Sequence, residues 1–292
     1  MLSKIYGLLK FCYEDNSGDK LPDIKLQLFI LGVKSLMPFE DNIGCMFDKE
    51  RYEKEIELFS CYKNGNDDNL EYYYKHKKPS ECDDLLLEYK IMPIIIANTQ
   101  WDVLLNEALR ATLFYSSSKK AILNTIILSS AIFEYLSKDD YIENMTELCR
   151  ERLINFSFKD FLKYNNMKVN KISLIEFEKE RIKMLSENKL MADELMDKFK
   201  SLQYLFNVEE KIKTETSEET VLSSFSSYLY KLRKGIINPE KLKVSHCNIP
   251  DVKELLKYSS FTHPFLGKCL VIKRGKNEVI LRNKSGLMKV NI

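Results

Sequence analysis

Residues 14–25, EDNSGDKLPDIK, place four acidic side chains in a short polar segment between two apolar, helical stretches. The acidic residues are Glu14, Asp15, Asp19 and Asp23. Mg²⁺ takes oxygen ligands, and a two-metal centre needs several carboxylates that converge from different segments. The adjacent pairs Asp67, Asp68 and Asp83, Asp84 lie in polar stretches, where we expect them to be exposed. The opening segment is therefore a candidate magnesium site, and the alternative is a solvated turn.

The other residue types that could do chemistry form no familiar motif. The histidines His76, His246 and His263 are not paired at metal-ligand spacing, and no glycine-rich phosphate loop or serine-nucleophile motif occurs. The seven cysteines are widely spaced and include no C-x-x-C pair, which is typical of free thiols in a reducing cytosol. The carboxylates are therefore the main chemical candidates in this sequence.

The composition is that of a globular protein, since 45% of the 292 residues are hydrophobic and 30% are charged. The net charge of +2 and the interleaving of acids with bases give no electrostatic reason to expect a nucleic-acid partner. The apolar run at the N-terminus is too short for a signal sequence, and no uninterrupted apolar stretch reaches about 18 residues. We therefore expect a cytoplasmic protein with no membrane partner.

Apolar residues recur at helical spacing through most of the chain, which predicts a mainly α fold. The helices expected in the first half are a buried one over 24–37, an amphipathic one within 47–67, and one or two long ones over 91–136. The face that the second of these should bury consists of Tyr52, Ile56 and Phe59. The break in the long stretch is expected at the serines 116–118, with Ser118 as the N-cap of the helix that follows.

Further helices are predicted over 139–164 and 173–206, and another should start at a capping box formed by Thr216 and Glu219. Beyond Gly267, apolar and polar residues alternate between turn signals, which predicts a small antiparallel β-meander of two or three strands. We therefore expect a helical domain over 1–265 and a C-terminal β appendage over 266–292.

Three stretches in the order IYGLLKFCYED, PDIKLQLFILGVKSL and YKIMPIIIANTQWDVLLNEALRATLFYSSSKKAILNTIILSSAIFEYL give the chain its family resemblance. Together with TSEETVLSSFSSYLYKL they resemble the ADP-ribosylglycohydrolase (DraG-like) family over residues 1–235. The resemblance implies an all-α, ADP-ribosylglycohydrolase-like helical bundle. It also implies two Mg²⁺ ions held by Asp side chains, and cleavage of ADP-ribose from modified proteins or nucleotide conjugates.

Few of the metal ligands that the resemblance implies are present in this sequence. The family's Gly-Asp-Ala-Leu-Gly motif falls near EDNSG, where Asp15 matches its acid. The Thr-Asp-Asp-Thr motif falls at LPDI, where Asp23 matches one acid, but Pro22 replaces the other and Ile24 replaces the second threonine. Proline and isoleucine side chains have no oxygen to offer Mg²⁺. Asp15 and Asp23 are therefore the remaining candidates for a catalytic or metal-binding acid.

The later motifs of the family are also incomplete. KIMPIII keeps Met92 and Pro93 but has no arginine between them, and ATLF keeps Thr112 but has Leu113 in place of histidine. The closing Gly-Gly-Asp-x-Asp-Thr motif has no counterpart. The residues that remain as candidates for contacting a bound ligand are Asp19, Asn98, Trp101 and Thr112. We therefore expect no resident cofactor and no working magnesium site, with Mg²⁺ required only if the protein is active.

These observations lead to one leading hypothesis and two alternatives. The leading hypothesis is a pseudoenzyme, a non-catalytic binding or regulatory relative of the ADP-ribosylglycohydrolases, whose partner is a protein or an ADP-ribose-like nucleotide. The first alternative is an active hydrolase that removes ADP-ribose with a rearranged, Mg²⁺-dependent site. The second alternative is a helical protein–protein interaction scaffold that contacts its partner through Tyr72, Tyr73, Tyr74 and the basic β-tail.

Overall fold

A computed structural model gives the structure of the protein. It describes residues 1–13, 22–40, 42–138, 144–186, 193–206, 220–235, 252–263, 266–283 and 286–291. Within these ranges the chain is mainly helical and has a small antiparallel sheet near its end, which confirms the predicted fold class at that level. None of the described helices is both long enough and apolar enough to cross a membrane.

The first half of the described chain contains helices and a short two-stranded ribbon. In chain order the elements are α1 (Leu2–Cys12), α2 (Ile24–Lys34), β1 (Leu36–Pro38), β2 (Cys45–Phe47), α3 (Lys49–Tyr62), α4 (Asp68–His76), α5 (Leu87–Ala97), α6 (Trp101–Tyr115) and α7 (Lys119–Ser137). The strands β1 and β2 are antiparallel, with Met37 opposite Met46. The prediction of one helix over 24–37 was wrong at its end, because residues 36–38 pair with β2.

The second half of the described chain continues with helices and ends in a sheet. Its elements are α8 (Met145–Asn155), α9 (Phe158–Tyr164), α10 (Lys171–Ser186), α11 (Asp193–Lys198), α12 (Lys200–Phe206), α13 (Val221–Arg233), α14 (Val252–Leu255), β3 (Ser260–His263), β4 (Gly267–Arg274), β5 (Glu278–Asn283) and β6 (Gly286–Asn291). A capping box of Thr220 and Ser223 starts α13. The predicted box of Thr216 and Glu219 lies outside the described residues.

All the side chains of α5 are buried, and this helix packs against α2, α6 and α7. Its contact with α2 is close because Gly32 has no side chain. A Cβ at Gly32 would lie 2.7 Å from the carbonyl oxygen of Lys90 and 3.1 Å from Cγ of Pro93. Polar residues on this central helix are consequently enclosed by protein on every side.

Two details of the predicted helices are confirmed. The buried residues of α3 are Tyr52, Ile56 and Phe59. Ser118 is the N-cap of α7, and its Oγ accepts a hydrogen bond from the backbone N–H of Ala121 at 3.4 Å. The stretch 91–136 has a second break that the periodicity did not reveal, since α5 ends before Asn98 and α6 begins at Trp101.

The C-terminal strands form one antiparallel sheet in the order β3-β4-β5-β6. The sequence predicted two or three strands, and the additional strand β3 precedes the turn at Gly267. A hydrophobic cluster separate from the helical core lies under this sheet. Its buried members are Val252, Leu256, Phe261, Leu266, Cys269, Val279, Leu281, Met288 and Val290.

Candidate functional site

Asp23 caps a helix in the folded chain. Its Oδ1 accepts a hydrogen bond from the backbone N–H of Leu26 at 2.9 Å, which makes it the N-cap of α2. Aspartate is favoured there because the first turn of a helix leaves N–H groups without partners. The other three acids of this segment, Glu14, Asp15 and Asp19, lie outside the described residues. Of the candidate carboxylates, the structure therefore places Asp23 alone, in a structural role.

Asn98 fastens the β1–β2 ribbon to the end of α5. Its Oδ1 accepts from the Cys45 backbone N–H at 3.0 Å, and its Nδ2 donates to the carbonyl oxygens of Cys45 at 3.0 Å and Ile94 at 2.9 Å. The neighbouring Gly44 has a φ of +124°, and a Cβ there would collide with Oδ1 of Asn98. This buried amide therefore pairs with a strand rather than facing an open ligand site.

Arg233 of α13 supports the same end of α5. Its Nη1 donates to the carbonyl oxygen of Ile96 at 3.1 Å and to the carbonyl oxygen of Asn98. The carbonyls at the end of a helix have no partner within the helix, so a buried guanidinium satisfies them. Burial lowers the pKa of Arg233 to about 10. Arg233 and Asn98 together connect α5, α13 and β2.

Thr112 joins α6 to α7. Its Oγ1 lies 3.0 Å from the carbonyl oxygen of Ala108 and 2.9 Å from Oγ1 of Thr125, and both threonines are fully buried. Buried hydroxyls need hydrogen-bond partners, and these two threonines provide them for each other and for the preceding helical turns. The threonine that the family resemblance had selected is thus part of a helix–helix contact.

Trp101 lies at the start of α6 and is covered on one face by Arg152 of α8. The guanidinium carbon of Arg152 is 3.9 Å from the centroid of the Trp101 ring and 4.8 Å from that of Phe133. Arg152 also pairs with Glu134 of α7. A stacked, paired guanidinium of this kind links three helices. The sequence analysis selected Trp101 as a candidate for contacting a ligand. In the structure its ring contacts the Arg152 side chain of the same chain.

A buried ionic cluster is the feature that sequence reasoning missed. The expectation that Asp67 and Asp84 are exposed was wrong, because both are buried and both contact Lys90 of α5. Nζ of Lys90 lies 2.5 Å from Oδ2 of Asp67 and 2.9 Å from Oδ1 of Asp84. The Tyr115 ring lies on another side of the ammonium, with 4.4 Å between Nζ and the ring centroid.

The charges of this cluster stabilise one another. Burial lowers the pKa of Lys90, but Asp67 and Asp84 together outweigh that effect, so the pKa is raised. Burial raises the pKa of Asp84, and the nearby ammonium opposes that change. A lysine acts as a nucleophile only when its pKa falls and its amine becomes neutral. Lys90 is therefore a structural cation. The available signal was a lysine at the start of the apolar run KIMPIII.

Two further buried carboxylates also serve the fold. Glu88 accepts hydrogen bonds from the backbone N–H groups of Lys200 and Ser201 at 3.0 and 2.9 Å, and from Oγ of Ser201 at 2.6 Å. It therefore caps the first turn of α12, although it lies 112 residues before Lys200 in the chain. Burial raises the pKa of Glu88, and the bonds from Ser201 oppose that rise. Glu107 accepts from the backbone N–H of Phe47 at 2.8 Å and pairs with Arg110.

The described candidates do not converge on one point. Asp23, Asn98 and Thr112 each bond to different neighbours, and none of the three bonds to another in the part of the chain that the structure describes. In that same part, no group of three or more His, Cys, Asp or Glu side chains is placed to hold a metal ion. No protein-family model, curated protein or solved structure matches the chain.

Proposed function

We propose that this protein is a non-catalytic binding protein with an ADP-ribosylglycohydrolase-like helical core. The observation that carries the proposal is the use of the candidate side chains by the fold itself. Asp23 caps α2, Asn98 holds β2, and Thr112 joins α6 to α7. Each of these side chains would have to leave an internal hydrogen bond before it could contact a metal or a nucleotide. Such a rearrangement leaves buried polar groups unpaired and is unfavourable.

The partner that we propose is a protein, and the supporting surface is the outward face of the C-terminal sheet. On this face Leu270 pairs across the strands with Arg282, which in turn pairs with Leu287, and all three side chains are exposed. Lys268 is exposed on the same face, as is Lys289, which pairs with Glu278 of β5. Arginine is enriched among the residues that dominate protein interfaces, and the cations favour an acidic protein surface.

The three tyrosines of α4 differ in exposure, and only the exposed ones could contact a partner. Tyr72 and Tyr74 are exposed, whereas Tyr73 is buried with its ring centroid 4.4 Å from that of Phe114. The expectation of a surface made by all three tyrosines was therefore wrong for Tyr73, because a helix turns consecutive side chains to different sides. Tyr72 and Tyr74 are the two that a partner could contact.

The proposal is tested by thermal unfolding of the full chain with ADP-ribose, in the presence and absence of millimolar Mg²⁺. A ligand at about 100 times its dissociation constant adds about 2.7 kcal/mol to the free energy of unfolding. We expect any stabilisation by ADP-ribose to be the same with and without Mg²⁺. Stabilisation that requires both Mg²⁺ and ADP-ribose would contradict the proposal and support the hydrolase alternative.

The sheet face has a separate test in Arg282→Glu. This change should reduce the recovery of an acidic protein partner, because it places a carboxylate in the centre of the basic face. The matched control is Lys257→Glu, which makes the same charge change at an exposed residue outside the strands. Equal recovery by both variants would exclude the sheet face as the contact surface.

A further inference from the structure

Helix α10 has two apolar faces, and one of them is turned outward. On the inner face Phe177 is fully buried, with its ring centroid 4.7 Å from that of Phe158 and 6.1 Å from that of Phe156. On the outer face three isoleucines are exposed to solvent. Their exposed fractions are 67% for Ile172, 55% for Ile175 and 60% for Ile182.

The spacing of the isoleucines makes them a continuous stripe. A helix turns about 100° per residue, so residues separated by three and by seven positions lie on the same side. Ile172, Ile175 and Ile182 have these separations, and Lys179 completes the stripe between the last two. Phe177 lies on the opposite side by the same arithmetic. A stripe of this period matches the seam of a two-helix coiled coil.

We propose that the outer face of α10 is a dimer interface, on which a second copy of this chain docks its own α10 in antiparallel orientation. The dimer is isologous, because each subunit presents the same stripe to the other. In the antiparallel register, Ile172 faces Ile182 of the partner subunit and Ile175 faces Lys179 of the partner subunit. The methylene groups of each lysine then cover an isoleucine while its ammonium reaches water.

The charges beside the stripe complement one another in this orientation. Glu176 lies beside Lys183 of the partner subunit, and Lys171 lies beside Glu178 of the partner subunit, so both flanks of the seam carry opposite charges. Within its own chain, the Glu176 carboxylate lies 3.7 Å from the Lys119 ammonium, and Glu178 pairs with Arg181. In the dimer each of these two glutamates would gain a second cationic neighbour. A helix that complements its own reversed copy favours a second copy over an unrelated partner.

A parallel pair is disfavoured by one residue. It would place Lys179 directly against Lys179 of the partner subunit in the centre of the seam. Like charges that face each other at an interface are unfavourable. The antiparallel arrangement separates the two ammonium groups by placing each beside an isoleucine. The inference therefore specifies the orientation of the two helices as well as the surface that they share.

Sedimentation velocity of the full chain over a range of concentrations tests the existence of the dimer. We expect a reversible dimer, and we expect Ile175→Glu to weaken the association by at least about tenfold. Because Ile175 is exposed, that variant should keep the circular dichroism spectrum of the wild type, and its unfolding midpoint should match that of the wild type at a concentration too low for the dimer to form. A wild-type chain that remains monomeric at the highest concentration, or a dimer unaffected by Ile175→Glu, would overturn the proposal.

A charge exchange tests the orientation. Glu176→Lys and Lys183→Glu should each weaken the dimer, and the double variant should restore it, because the exchanged charges at positions 176 and 183 again attract each other across the seam. In a parallel pair the double variant would be weaker than either single variant, since each changed residue would then face a like charge at Lys171 or Glu178. The control is Glu180→Lys, which alters the same helix away from the stripe. Failure of the double variant to restore association would overturn the antiparallel arrangement.

Discussion

Nζ of Lys90 lies 2.9 Å from Oδ1 of Asp84 in the interior of the protein, where both side chains are 1% exposed. Asp67 contacts the same ammonium, so one buried cation is held by two carboxylates. This cluster joins the segment before α4, the segment before α5 and α5 itself. These ion pairs therefore connect two segments that the sequence indicated to be loops with a helix of the core.

Replacing Lys90 should be severely destabilising. Lys90→Met leaves Asp67 and Asp84 buried without their cation, and removal of one partner from a buried ion pair costs about 3–5 kcal/mol. The free energy of unfolding in urea measures this loss. Lys34→Met is the matched control, because Lys34 pairs with Glu55 at a surface site and should contribute less than about 1 kcal/mol. Equal losses in the two variants would contradict the structural role of the cluster.

Asp23 should contribute to stability as a helix cap. Asp23→Ala removes the bond to the Leu26 N–H and should lower the free energy of unfolding by about 1 kcal/mol. Asp23→Ser should stay close to the wild type, because serine is also a favoured N-cap. A serine variant as unstable as the alanine variant would show that the carboxylate has a role other than capping.

Asn98 should contribute strongly to the free energy of unfolding, because its one amide pairs two buried backbone groups. Asn98→Ala leaves the backbone N–H and carbonyl groups of Cys45 buried without their partner. Each buried unpaired group costs about 1–3 kcal/mol, so we expect the loss of two partners to cost roughly 2–6 kcal/mol in urea unfolding. Asn64→Ala at an exposed site is the control and should change stability by less than about 1 kcal/mol. Indistinguishable variants would contradict the ribbon-fastening role.

The extent to which the sequence predicts this molecule depends on the range of each interaction. Local periodicity identified the buried face of α3, and a local cap identified the start of α7 at Ser118. The ribbon of β1 and β2 was missed because Asn98, 53 residues after Cys45, is one of the residues that hold it. The burial of Asp67 was missed for the same reason, since its cation lies 23 residues away.

The candidate site was predicted less well than the fold. Family resemblance selected Asp23 and Thr112, and the structure describes both in structural bonds. The choice of a residue type at one position cannot show whether its hydrogen bonds go to a ligand or to the next helix. That distinction depends on packing between segments, which single-sequence patterns do not record.

Stability should fall in alkaline solution through Cys45. Burial raises the pKa of this thiol from 9.0 to about 12. Between those values the unfolded chain has lost the thiol proton and the folded chain keeps it, so the free energy of unfolding decreases as the pH rises above about 9. Cys45→Ala should make that decrease shallower when urea unfolding is repeated from about pH 8 to 11. Cys61→Ala, at an exposed thiol, is the control for the substitution itself, and a slope unaffected by Cys45→Ala would contradict the prediction.

The central claim, that the protein binds without catalysing, is tested most directly by the release of free ADP-ribose from an ADP-ribosylated protein in millimolar Mg²⁺. We predict no release above the blank for the wild-type chain or for Asp23→Ser, which removes the carboxylate and keeps a cap on α2. Mg²⁺-dependent release by the wild type that is lost in an equally stable Asp23→Ser variant would contradict the claim and assign Asp23 to a working hydrolase site.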